Sequence, residues 1–86
     1  MSKLDIFVND KFKVMSYMYD MMDKSYLVRV TQTELVEELG LSRSTINAIF
    51  RALKENGYIV HDDKKLGKYY LTEDAVKVVK MFRKIN

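Results

Sequence analysis

Arg43, Ser44, Thr45 and Asn47 crowd into one short stretch of the chain, and each can hydrogen-bond to the edge of a base. An arginine can bridge guanine O6 and N7, and an asparagine can pair with adenine N6 and N7. Ala48, beside them, is small enough to let a helix come close to a partner. Arg51 and Lys54 follow at a spacing that suits phosphates. Upstream, Thr31, Gln32 and Thr33 are short or uncharged polar side chains. Ahead of a helix they would sit among free backbone N–H groups that attract phosphate. Downstream, Lys64, Lys65 and Lys68 could touch phosphate or a minor groove, and Tyr69 could hydrogen-bond to a backbone. Asp62 and Asp63 lie beside these lysines and weaken their field.

The residues for other chemistry are missing. The chain has no cysteine and one histidine, His61. A disulfide scaffold and a thiolate metal site are excluded, and His61 reads as an ordinary strand residue. Asp62 and Asp63 imitate a carboxylate pair, but adjacent strand side chains point to opposite faces. No nucleophile stands with its base and no glycine-rich phosphate loop is visible, so no catalysis is expected. Nothing in the sequence asks for a metal, a cofactor or a small-molecule ligand.

The positioning elements follow from periodicity and punctuation. Proline is absent, so the turns fall to Gly40, Gly57 and Gly67. Asn9 is a good N-cap for a helix to about Asp23, with Phe12, Met15, Tyr19 and Met22 on one face. Val14, Met18 and Met21 form a second apolar strip, wider than one small core needs. Leu4 to Val8 could be a short strand, an added helical turn or an arm. Residues 26–30 read as a short strand. Thr31 and Glu34 have the spacing of a capping box, in which the glutamate reaches back to the cap. The helix they begin ends at Gly40. Ser42 caps the next helix, from Arg43 to about Asn56, with Ile46, Ile49, Phe50 and Leu53 inside. Ser42 is first a cap, and it is also a candidate phosphate contact. Two helices joined through so tight a turn form a helix-turn-helix. Residues 58–61 and 68–71 read as a β-hairpin, a wing. Thr72 caps a last helix, with Ala75, Val79 and Phe82 on one face and Val78, Met81 and Ile85 on the next. The fold class is therefore mainly α with a small β-hairpin, a winged helix-turn-helix within one domain spanning 1–86.

Leu41-Ser-Arg-Ser-Thr-Ile-Asn-Ala-Ile-Phe-Arg-Ala-Leu-Lys-Glu-Asn-Gly-Tyr-Ile59 closely resembles the recognition helix of prokaryotic winged-helix transcription regulators. Thr31 to Gly40 resembles their preceding helix. Tyr69-Tyr-Leu-Thr72 is similar to the end of the wing in MarR-like and PadR-like regulators. The recognition helix also looks GntR-like, although the wing lacks the glycine-rich ending common there. The resemblance covers residues 26–75 and implies binding to double-stranded DNA, with helix 43–56 in the major groove.

Composition agrees. The 86 residues carry a net charge of +3, unevenly spread. Residues 31–40 hold Glu34, Glu37 and Glu38 and no base; these acids should point away from DNA. Residues 41–71 hold Arg43, Arg51, Lys54, Lys64, Lys65 and Lys68 against Glu55, Asp62 and Asp63. A localised basic face is what polyanion binding needs. No apolar run approaches the ~20 residues that span a bilayer. The first residues lack a signal-peptide pattern, so the expected location is cytoplasmic, without a membrane partner. Surplus apolar residues on the first and last helices point to a homodimer. The competing reading is a protein-interaction module of a replication or transcription assembly, or an inhibitor of a host protein.

Overall fold

The computed structural model describes residues 3–62 and 67–85. Its elements run α1 (Lys3–Met21), β1 (Leu27–Arg29), α2 (Gln32–Leu39), α3 (Arg43–Glu55), β2 (Ile59–His61), β3 (Lys68–Leu71) and α4 (Glu73–Ile85). The backbone at Leu4 to Val8 is helical, so α1 begins well before Asn9. Its core face also differs from expectation. Val14, Met15 and Met18 are buried, whereas Phe12, Tyr19 and Met22 pack half-buried at the rim and Met21 is exposed. The reason is that α1 touches β1, α2, α3 and α4, so the strip facing their common centre is the one enclosed.

Helix α1 stops at Met21, short of Asp23, because Asp23 organises the following turn. Its Oδ1 accepts from Ser25 N at 2.8 Å, Ser25 Oγ at 2.7 Å and Leu27 N at 3.1 Å. The Ser25 hydroxyl, then the Ser25 and Leu27 amides, hold its carboxyl below the usual aspartate range. Tyr26 takes a left-handed φ of 69° within that turn, and its carbonyl accepts from Leu71 N at 3.0 Å.

The three strands form an antiparallel sheet in the order β1-β3-β2. Leu27 pairs with Tyr70 and Arg29 with Lys68; Val60 pairs with Tyr70 and His61 with Tyr69. Thr72 starts α4 as expected: its Oγ1 accepts from Ala75 N at 3.3 Å and donates to Gly57 O at 2.8 Å. Ala75, Val76 and Val79 are buried. Phe82, expected on that inner face, lies outside it and packs its ring 5.1 Å from Phe12. Arg83 clamps α4 to α1, with Nη2 2.7 Å from Ser16 Oγ and 2.8 Å from Asp20 Oδ1, and its guanidinium over the Tyr19 ring. The ion pair is solvent-exposed, so it contributes below about 1 kcal/mol. No helix among the described residues is long and apolar enough to cross a membrane.

Candidate nucleic-acid interface

Two caps and one tight turn set the angle between α2 and α3. Thr31 Oγ1 accepts from Glu34 N at 3.0 Å, and Ser42 Oγ accepts from Thr45 N at 3.1 Å. Gly40 takes φ 69°, and its N–H reaches Val36 O at 3.0 Å, which closes α2. Leu41 then tucks against the core before α3 begins. With Ile46, Ile49, Phe50 and Leu53 buried, Arg43, Ser44, Asn47, Ala48, Arg51 and Lys54 lie exposed on the other side. One helix thus shows an apolar inner face and a hydrogen-bonding outer face, which is what a groove-reading helix requires.

The outer face is tied to α2. Arg43 Nη2 donates to Thr33 Oγ1 at 3.1 Å, and the Gln32 side-chain amide donates to Asn47 Oδ1. Gln32 and Asn47 share a groove of about 420 Å³ with Arg51, Lys54, Glu55 and Tyr69. A second groove of about 420 Å³ holds Thr31, Gln32, Thr33, Arg43, Gly67 and Tyr69. The two grooves have Gln32 and Tyr69 in common. Ser42 Oγ also donates to Thr45 Oγ1 at 2.8 Å and lies 3.2 Å from Ser44 Oγ, so these hydroxyls form one cluster at the start of α3.

Residues 28–60, from β1 through α2 and α3 to β2, match the model of the winged helix-turn-helix DNA-binding family. The match spans 33 of the 86 residues, and with the element order and the antiparallel sheet it gives the chain a winged helix-turn-helix fold. No curated protein and no solved structure matches it significantly. The family match, the element order and the sheet agree on one fold.

Within the winged helix the capping box is only half made. Glu34 does not reach back to Thr31; its Oε2 accepts from the Tyr17 hydroxyl of α1 at 2.6 Å. A hydroxyl facing a carboxylate is the stronger bond, and it turns the Glu34 charge toward α1. That hydrogen bond, with burial and the Glu34 and Glu38 charges, pushes the Tyr17 phenol up to about 12. The folded value lies above the ordinary one. The bond therefore contributes fully below about pH 10 and is lost as pH rises through about 12. In an absorbance titration of tyrosinate, one tyrosine should ionise near that value. Glu34→Gln should bring it back down, and a titration unchanged by Glu34→Gln would dissolve the latch.

Tyr69 is placed differently from a surface tyrosine. It is buried, stacked 4.8 Å from His61 and edge-on to Phe50 at 4.9 Å, with Lys54 Nζ 5.9 Å above its ring. Burial raises its phenol pKa. It therefore floors the two grooves rather than projecting from the wing. His61 Nε2 is buried without a hydrogen-bond partner among the described residues. Lys68 stands on the opposite face of the sheet from Tyr69. It lines a third groove, of about 200 Å³, with Arg29, Thr31, Glu34 and Gly67. Lys64 and Lys65 lie outside the described residues. Among the described residues, no three His, Cys, Asp or Glu side chains are placed to hold a metal ion.

Arg29 is the cation that sequence reasoning missed. The pairing of β1 with β3 brings it opposite Lys68 and next to Thr31. Glu55 was likewise unforeseen as an acid lining the first groove.

Proposed function

We propose that the domain reads double-stranded DNA by sequence and acts as a transcription regulator. Helix α3 lies in the major groove. Arg43, Ser44, Thr45 and Asn47 face the bases, and Arg51 and Lys54 the phosphates. Thr31, Gln32, Thr33 and Ser42 approach the backbone from the two helix starts, Tyr69 floors the grooves beneath Gln32, and Lys64, Lys65 and Lys68 add positive charge for the phosphates. The observation that carries this reading is the pair of side-chain bridges, Arg43 to Thr33 and Gln32 to Asn47. They hold the base-reading groups in place before any partner arrives, and preorganisation lowers the cost of binding.

The test is selection from random duplex at two salt concentrations. A recovered motif is the expected result, with affinity falling steeply as salt rises. Absence of binding even at low salt would overturn the reading.

The same proposal includes a homodimer. Met81 is 61% exposed, Met21 50% and Phe82 39%, all near the ends of α1 and α4. Apolar groups left in water mark contact surfaces. A two-fold dimer would place two α3 helices about 34 Å apart, on a palindromic site. Sedimentation at micromolar concentration should give a dimer, and Met81→Glu should shift it to monomer. A wild-type monomer under those conditions sinks the dimer and leaves the DNA reading standing.

A further inference from the structure

Helix α4 has a face that the duplex reading leaves unused. Ala75, Val76 and Val79 are buried. At about 100° per residue, Lys77, Lys80 and Lys84 come to the opposite side of the helix. All three are exposed, and with Met81 they line a groove of about 380 Å³. None of the three makes an ion pair or a hydrogen bond among the described residues. Arg83, on another side of α4, is engaged by Asp20 and Ser16. Glu73 and Asp74 lie in the first turn of α4 and weaken the field most at Lys77, so Lys80 and Lys84 dominate the row.

The row spans about 10 Å of helix axis at a rise of about 1.5 Å per residue. Each lysine is a point charge with freely turning donors. Three in a line, with only a thioether beside them, recognise charge and no other pattern. A duplex carries about one negative charge per 1.7 Å of its axis, so it offers such a row several phosphates at once. A membrane matches less well. The buried side of α4 is committed to the core and only Met81 is apolar on the lysine side, whereas lipid-binding clusters hold about 4–8 basic residues.

The row does not extend the surface of α3. No residue of α2, α3 or the sheet lines its groove. Where α4 approaches α3, the shared surface is the largely apolar groove of Phe12, Leu53, Val78 and Phe82, and Lys11 at its rim is already engaged. Phe82 lies about 160° round α4 from Lys84, so the two-fold contact proposed above leaves the row at its margin.

We propose that Lys77, Lys80 and Lys84 bind the phosphate backbone of a second duplex segment without regard to its sequence. One domain then joins the site read by α3 to another stretch of DNA. The bridge rests on the duplex reading of α3, and the lysine row does not.

The test has two arms. In the first, beads carry the selected duplex, the full chain is added at low salt, and a labelled random-sequence duplex is offered. Wild type should hold the label on the beads. Lys77→Gln, Lys80→Gln and Lys84→Gln together should stay on the beads and lose the label, and Lys77→Arg, Lys80→Arg and Lys84→Arg together should keep it. The second arm needs no selected site. A chain carrying Arg43→Ala, Arg51→Ala and Lys54→Ala should still bind random duplex in fluorescence anisotropy at low salt. Three phosphate contacts should make that affinity fall about 40-fold for a fourfold rise in salt. Adding the three lysine-to-glutamine changes should remove most of it. Loss of the selected duplex in the first arm, with binding kept in the second, counts against α3 and not against the row. The proposal is overturned if wild type holds the selected duplex and captures no label, or if the glutamine variant captures as much. The second result would assign bridging to the two α3 helices of a dimer. It is also overturned if the glutamine changes abolish only binding to vesicles of anionic phospholipid. The same holds if they change only sedimentation, as Glu37→Gln with Glu38→Gln then should, which would make the row a contact between copies.

Discussion

Replacing Arg43 and Asn47 together by alanine is expected to remove most of the preference of the domain for its selected duplex. Each direct base contact accounts for about 1–3 kcal/mol. If the two act independently, the pair is worth roughly 2–6 kcal/mol, about 30-fold to more than 10⁴-fold in affinity. They are not fully independent of α2. Arg43 is held by Thr33 and Asn47 by Gln32, so each truncation also releases a neighbour. Gln32→Ala should therefore reproduce part of the Asn47→Ala defect. A double-mutant cycle on the two amides should return a coupling in the range of about 0.5–3 kcal/mol. Binding to random duplex at low salt should survive better, because Arg51 and Lys54 remain exposed on α3. Equal affinity of wild type and double variant for the selected site would remove α3 from the interface.

Much of this surface was legible in the sequence, and the reasons are local. Thr31 and Ser42 announce helix starts because a hydroxyl can satisfy a free amide a few residues on, and both do so. Gly40 announces a stop because its φ of 69° suits glycine best. The spacing of Ile46, Ile49, Phe50 and Leu53 fixes which side of α3 is buried, and so which side faces out. What stayed hidden depends on contacts between distant residues. The partner of Glu34 is Tyr17, on another helix, so the capping-box spacing suggested a bond that the carboxylate does not make. The buried strip of α1 depends on where four other elements sit, and for that reason Val14 and Met18 join Met15 in the core while Phe12, Tyr19 and Met22 stay at its rim. Tyr69 looked like a wing-surface residue because strand alternation alone does not say which face is covered. The stacking of His61 and Phe50 on its ring decides that. Arg29 could not be joined to Lys68 before the β1–β3 pairing was known.

Gly67→Ala is expected to cause the largest loss of stability of any single methyl addition at a glycine. Gly40, Gly57 and Gly67 all have left-handed φ, at 69°, 75° and 75°. A side chain in that conformation costs about 1–2 kcal/mol at any of them. The surroundings then separate the three. A Cβ on Gly40 or Gly57 meets nothing within 4 Å, whereas a Cβ on Gly67 would lie 2.9 Å from the backbone oxygen of Val30. Backbone cannot rotate aside as a flexible side chain would, so overpacking adds roughly 1–3 kcal/mol. The strand geometry resists relief, because Val30 N donates to Gly67 O at 3.0 Å and fixes the two segments together. The total of about 2–5 kcal/mol is a large share of the stability of a domain this small. Urea unfolding should show Gly67→Ala well below Gly40→Ala. The consequence reaches the site, since Val30 leads into the Thr31 cap of α2 and Gly67 into β3. A shift between them moves Thr31 and Gln32 relative to Tyr69, the residues that frame the second groove. The folded fraction of Gly67→Ala should therefore bind the selected duplex more weakly than Gly40→Ala does. If the two variants are equally stable and bind equally, the root of the wing is not held against the start of α2, and the two grooves are not positioned by that contact.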